Sequence, residues 1–284
     1  MTKQPLFKLF CLLLLTVHSL YANTATIKPQ RIVSLNLCTD QILMMLVAPE
    51  RISSLTLLAK DPAYSYMWQA ALTIASNSGL AEEIIPLQPD LVLTTQFSPG
   101  HATHILQKFN FPVEVIQLPS DFAGIEKMLR EIGELVGETD KAKNIISIMH
   151  ARIEHANTLV SHIEPKPVAV IYSPNGHTAG KRTFKHQVLT LAGYRNSAAE
   201  IGVEHYTNLS IEQLLKQQPD TVVVSETGHN KHSLAHRYTD HPALLAQQKQ
   251  QGILHIPDNQ WLCAGPMSAI ALNTIAEHNA GRLP

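Results

Sequence analysis

The stretch Ala81-Glu82-Glu83-Ile84-Ile85-Pro86-Leu87-Gln88-Pro89-Asp90-Leu91-Val92-Leu93 returns, much altered, as Ile211-Glu212-Gln213-Leu214-Leu215-Lys216-Gln217-Gln218-Pro219-Asp220-Thr221-Val222-Val223. In each copy a short helical segment carries a glutamate at the same offset and ends at a Pro-Asp turn, after which an apolar run follows as a buried strand. Pro-Asp alone recurs by chance. A helix of the same length, a glutamate in the same place and a following strand together describe one design used twice.

Outward from the first copy, Arg31 to Leu35 is a short β-branched run that ends in a polar turn, Asn36 to Asp40. Ile42, Leu43, Leu46 and Val47 then recur with helical spacing. Ile52 to Leu57, Leu91 to Thr95 and Pro112 to Gln117 add strands. Around the second copy lie strands Val168 to Tyr172, Thr221 to Ser225 and Ile253 to Ile256, with helices Phe184 to Ala192 and Met267 to His278. Strands alternating with helices predict parallel sheets covered on both faces, with the loops at the strand carboxyl ends open to a ligand. Between the halves the pattern turns helical, over Ile125 to Val136 and again over Thr139 to Ile163. In the second stretch Ala142, Ile145, Ile146, Met149, Ile153, Ala156, Val160 and Ile163 keep one apolar stripe until Pro165 and Pro167 end it. At 1.5 Å per residue such a helix spans about 37 Å, enough to cross a small domain. The expected fold is α/β: two lobes, each with a mostly parallel sheet flanked by helices, joined by one long interlobe α-helix. The expected boundaries are 23–138 for the N-terminal lobe, 139–164 for the linking helix and 165–284 for the C-terminal lobe.

With 284 residues, 45% hydrophobic and 16% charged, the chain is too apolar for disorder. Its 22 Lys and Arg against 23 Asp and Glu, without a dense basic run, argue against a nucleic-acid partner. At the start, Lys3 and Lys8 precede the apolar run Leu9 to Val17, and the small residue Ala22 follows, which is the order of a secretory signal peptide over residues 1–22. Cys11 lies inside that run and not after small residues that follow it, so lipid attachment is not expected. The mature chain is expected to be soluble and periplasmic, with Cys38 and Cys263 in a compartment where disulfides persist.

Arg31-Ile-Val-Ser-Leu35, Gly79 through Pro89-Asp90-Leu-Val92, the helix from Thr139, Tyr172 with Gly176, Gly180 and Thr183, Leu189-Thr-Leu-Ala-Gly-Tyr-Arg-Asn196, and Leu209-Ser-Ile-Glu212 through Pro219-Asp220 follow in a telling order. In that order and spacing the chain resembles the periplasmic substrate-binding proteins of ABC importers for iron-siderophores, haem and cobalamin. The resemblance implies two lobes bridged by a rigid helix, a metal chelate held in the cleft between them, and delivery to an inner-membrane permease dimer. It implies a monomer with no cofactor and no catalytic residue of its own. It also assigns permease docking to Glu82 and Glu212, one exposed glutamate per lobe. Free ion capture of Zn²⁺ or Mn²⁺ is the second reading and a periplasmic hydrolase the third.

Cys38 and Cys263 depart from the best-known members. Each follows a strand and precedes a helix, which places both at the ligand edge of the sheets. A disulfide across the cleft floor, contact with a ligand or metal, and independent packing all remain open for them. Asn36 belongs to the same floor. Tyr64, Tyr66 and Trp68, in the segment before Gly79, and Phe97, Tyr172 and Trp261, at strand-end loops, suit a large planar or catecholate ligand. Lys181 and Arg182 supply positive charge for an anionic chelate. Fifteen histidines invite a metal reading, yet His101/His104 and His229/His232 are i, i+3 pairs in apparent loops and are weak evidence for a site, so no residue is assigned to a metal. No Gly-x-Ser-x-Gly, His-Glu-x-x-His or Gly-x-Gly-x-x-Gly motif is present, and Gly176-His-Thr-Ala-Gly180-Lys181-Arg182 has one residue too few between its glycines for a phosphate loop.

Overall fold

The computed structural model describes residues 28–98, 100–226, 241–242 and 252–281. The expected signal peptide and His229/His232 lie outside them. In chain order the first half forms β1 (Ile32–Ser34), α1 (Leu37–Leu46), β2 (Ile52–Thr56), α2 (Trp68–Ala71), β3 (Ser76–Asn77), α3 (Ala81–Ile84), β4 (Leu91–Thr95), α4 (Gly100–Lys108), β5 (Val113–Ile116) and α5 (Phe122–Leu135). Its five strands pair in the order β3-β2-β1-β4-β5, all parallel. β1 and β4 are buried at every residue, as strands with helices on both faces must be.

After α6 (Thr139–Val160) come β6 (Val168–Ile171), β7 (His177–Ala179), α7 (Phe184–Leu191), β8 (Arg195–Asn196), α8 (Ser197–Glu200), β9 (Tyr206–Asn208), α9 (Ile211–Gln217), β10 (Thr221–Glu226), β11 (Ile253–Pro257) and α10 (Ser268–Asn279). The second sheet runs β11-β10-β6-β8, also parallel, and β7 and β9 make a separate antiparallel ribbon that the sequence did not announce. The halves superpose in topology: β1 is flanked by β2 and β4 as β6 is by β8 and β10, and β5 lies outside β4 as β11 lies outside β10.

The repeated stretch explains the match at atomic level. Gln88 and Gln218 both end their helical segments in the left-handed region, at φ 46° and 47°. The Asp90 carboxylate then accepts hydrogen bonds from the backbone N–H groups of Gln30 and Arg31, and Asp220 accepts from that of Val168 at 2.7 Å. Each Pro-Asp therefore pins the entrance of its strand to the entrance of the strand beside it. The copies differ where their sequences do. Pro86 cannot donate a helical hydrogen bond, so α3 is a single turn continued by a 3₁₀ segment, Ile85–Leu87. In the second copy Ser210 and Gln213 form a capping box and α9 runs on to Gln217.

α6 buries Ala142, Ile146, Met149, Ala156, Leu159 and Val160, and one apolar core continues through it from one lobe into the other. It is about 33 Å long and stops before the expected Ile163; near its end the Thr158 hydroxyl donates to the Glu154 carbonyl and the Ser161 hydroxyl to that of Thr158. Its start is held by Glu138, which pairs with Arg51 at 2.7 Å and Lys28 at 3.1 Å. The lobes also touch directly. Phe122 meets Phe184 edge-on at 5.2 Å, the Phe122 N–H donates to Gln187 Oε1, and the Asn259 amide donates to the Pro62 carbonyl.

His101 and His104, expected in a loop, stand exposed on α4. The apolar pattern of that helix is interrupted by polar residues, so only Ala102 and Leu106 are buried and the periodicity is faint.

Candidate functional site

In the first sheet the chain moves from β1 outward to β2 and β3, then returns to the other side of β1 as β4 and β5. The crevice beyond the carboxyl ends of β1 and β4 is therefore a topological switch point, where open α/β sheets take their ligands. Asn36 and Ser98 face each other across it, with the Asn36 amide 3.4 Å from the Ser98 hydroxyl. Asn36 also caps α1, its side-chain oxygen accepting the Cys38 N–H at 2.9 Å. A cavity of about 240 Å³ opens here, lined by Leu35, Thr56, Leu57, Asn77, Thr94 and Ser98 among others. Asn77 is held by the Ser34 carbonyl and the Ser54 hydroxyl, while Thr94 Oγ1, buried in the wall, has no hydrogen-bond partner among the described residues. These polar residues at strand ends escaped the sequence analysis, which weighed aromatics and charges. The signal was present as single Thr, Asn and Ser residues closing apolar strands.

At one edge of this floor stands Cys38, in the first turn of α1. It is bonded to Cys263 of the other lobe, with the sulfurs 2.11 Å and the Cα atoms 5.2 Å apart. Two turns of α1 and β2 enclose Asp40. Its Oδ2 accepts from the Thr56 hydroxyl at 2.5 Å and the Thr56 N–H at 3.2 Å. Oδ1 has no partner of hydrogen-bonding geometry, because the nearby Ser34 hydroxyl is spent on Thr39 and the Asn36 carbonyl. Burial pushes the Asp40 carboxyl up to about 7, opposed by the hydrogen bonds from Thr56.

The second lobe carries a buried polar cluster that the sequence analysis also missed. Lys185, in the first turn of α7, lies 4.3 Å from the centre of the Trp261 ring and donates to the Ser225 hydroxyl at 2.9 Å. Asp258 is 3.9 Å from the ammonium and hydrogen-bonds Ser225, which also accepts the Trp261 indole N–H. Desolvation brings the Lys185 ammonium down to about 8, opposed by Asp258.

The remaining candidates are dispersed. Tyr172 and Trp261 are 0% and 1% exposed, enclosed by the second lobe's core rather than presented from loops. Phe97, 76% exposed, stands at the rim of the first-lobe cavity beside Ser98. Tyr64 and Trp68 are half-buried, whereas Tyr66 is exposed and lines a different cavity, against α6. Lys181 and Arg182 are exposed just after β7, and Arg182 pairs with Glu204 at 3.1 Å. Glu82 and Glu212 are exposed at the starts of α3 and α9.

A family model described as periplasmic binding protein matches residues 32–250, spanning the first sheet, the linking helix and the second sheet except β11. The chain belongs to the periplasmic binding protein family. Among individual proteins it is 25% identical over 222 residues to the uncharacterized ABC transporter substrate-binding lipoprotein YvrC of Bacillus subtilis, covering 74% of this chain and 69% of that one. The fold matches the apo periplasmic heme-binding protein RhuT of Roseiflexus sp. RS-1 with a TM-score of 0.74 at 23% identity, over 88% of this chain and 98% of that one. It also matches the vitamin B12 binding protein BtuF of Vibrio cholerae with a TM-score of 0.68 at 16% identity, over 90% and 99%. The resemblance drawn from the sequence thus holds at the level of the family, whose members matched here are named as binding proteins and not as enzymes. Among the described residues no helix is long and apolar enough to cross a membrane.

Proposed function

We propose that this periplasmic binding protein captures a metal chelate, a ferric siderophore or a cobalamin-like corrinoid, between its lobes and delivers it to an inner-membrane ABC permease dimer. The observation that carries this reading is the donor set at the first-lobe switch point. Thr56, Asn77, Thr94 and Ser98 offer hydroxyls and an amide among leucines, and among the described residues the lining holds no imidazole, thiolate or carboxylate. A bare Zn²⁺ or Mn²⁺ requires converging ligands of those kinds. A chelate brings its coordination sphere complete and asks only for apolar area and a few oriented polar contacts, of which the unpartnered Thr94 hydroxyl is one. Asn36, the neighbouring Cys38–Cys263 bridge, Phe97, Tyr64 and Trp68 are proposed as the surrounding contacts, with Lys181 and Arg182 as rim charges toward an anionic ligand. The heme-binding and vitamin B12 binding relatives support a large metal-centred ligand. Export by residues 1–22 and docking through Glu82 and Glu212 complete the proposal.

Titration of the oxidised mature protein with ferric hydroxamate and catecholate siderophores, cyanocobalamin and haemin, followed by tryptophan fluorescence and native mass spectrometry, tests it. One of these is expected to bind at sub-micromolar concentration with one-to-one stoichiometry, and Thr94→Val with Ser98→Ala to weaken it. Tight binding of ZnCl₂ or MnCl₂ with no response to any chelate overturns the reading.

A further inference from the structure

A second cavity shares no lining residue with the first. It also measures about 240 Å³ and is built from all three parts of the molecule: Met45 and Met67 from the first lobe, Ile148, Met149 and Arg152 from α6, and Met267 from the second lobe. Four of the chain's seven methionines converge on it from four separate segments. Thioether chains are unbranched and adaptable, so a trough lined by them moulds itself to a flexible apolar guest. Arg152 is half-buried, lines the cavity, and makes no hydrogen bond or ion pair among the described residues. Its neighbours one helical turn away on α6 are Ile148, Met149, His155 and Ala156, none of them acidic. An apolar trough with one unpaired, planar cation has the chemistry of a site for an anionic head on a short apolar tail.

We infer that this trough binds a linear monocarboxylate of the medium-chain fatty-acid class, its carboxylate on Arg152 and its tail among Met45, Met67, Met149 and Met267. Guanidinium and carboxylate match as two parallel hydrogen bonds, which favours a carboxylate over an alcohol of equal length. At ~30 Å³ per water-sized group, the cavity accommodates about eight such groups, as many as the carbon atoms of octanoate, whose two carboxylate oxygens lie beyond them toward Arg152. Because both lobes and α6 supply walls, the guest braces the lobes against each other. A soft monovalent metal ion is the competing occupant for a thioether cluster, and the guanidinium in the lining repels it.

The oxidised mature protein is titrated calorimetrically with octanoate, octan-1-ol, octyltrimethylammonium and silver nitrate. Saturable one-to-one binding of octanoate is expected, about tenfold tighter than octan-1-ol, with Arg152→Gln removing that difference and Arg152→Lys restoring part of it. Ile148→Trp, at an exposed position, is expected to fill the trough and abolish binding of both while the circular dichroism stays native. No octanoate binding to the folded protein at millimolar concentration overturns the inference. So do equal affinities for acid and alcohol, stoichiometric silver binding that Met149→Leu removes, or displacement of octanoate by whichever chelate occupies the cleft.

Discussion

Cys38 and Cys263, one in each lobe and 225 positions apart in sequence, stand with their Cα atoms 5.2 Å from each other. Their bond is a second covalent crossing between lobes otherwise joined by α6, and it sits where a hinge would have to open. The Phe122–Phe184 contact and the Asn259–Pro62 hydrogen bond restrain the same movement. On the proposed reading, the cleft is therefore expected to be largely pre-formed, with little closure on ligand capture.

Replacing both cysteines by serine is expected to lower the unfolding free energy by up to about 5 kcal/mol, the chain-entropy value for so long a loop. Guanidinium unfolding of the oxidised protein against the double variant measures the loss. Hydrogen exchange should rise around Asn36 to Asp40 and around Cys263, and native protein should show no free thiol at either position. Equal stability of the two forms would remove the bond from any structural role.

Asp40 makes stability depend on pH. Its folded-state carboxyl holds a proton up to about 7 whereas an unfolded one releases it near 3.8, so between those values the native state binds more protons and the contribution is lost as pH rises through them. Asp40→Asn keeps an acceptor for Thr56 and cannot ionise. Relative to the natural protein, its thermal midpoint should therefore gain steadily between pH 4 and 7, levelling off above, by an amount worth up to about 4 kcal/mol. A pH-independent difference between the two melting curves would contradict this.

Two glycines separate backbone conformation from space. A Cβ at Gly180 would lie 2.2 Å from the Val203 carbonyl oxygen, an unyielding backbone atom, whereas at Gly79, with φ +80°, it would meet nothing within 4 Å. Gly180→Ala should cost about 3 kcal/mol by overpacking, and Gly79→Ala about 1 kcal/mol through its left-handed backbone alone. Urea midpoints of the two variants provide the comparison, and the reverse ranking would refute it.

Docking through the repeated helices predicts a specific split between binding and transport. Charge reversal by Glu82→Lys, Glu212→Lys or both should leave chelate affinity unchanged, because both side chains are solvent-exposed at the starts of α3 and α9. Uptake by cells or reconstituted permease should fall with each substitution and most with the pair, since complementary rim charges govern encounter and orientation. Normal uptake by the double variant would dissolve the assignment.

The two halves, seven of their strands and the helix between them were legible along the chain because each is a local pattern: apolar runs closed by turns, a sustained stripe from Ala142 to Val160, and the recurrent Pro-Asp. Gln88 and Gln218 take the same left-handed cap because their flanking sequences impose it. What tertiary structure alone decided is which residues meet. Spacing left Cys38 and Cys263 with three fates, and only the approach of two strand ends from different lobes brought their sulfurs together. Tyr172 and Trp261 read as loop aromatics, but large rings at strand ends fall inside whenever the opposing helix covers them, as α7 covers Trp261 with Lys185. The methionine trough left no pattern along the chain, and the polar end of the first sheet left only single Thr, Asn and Ser residues closing apolar strands, since the residues of both come one or two at a time from segments that only folding sets side by side.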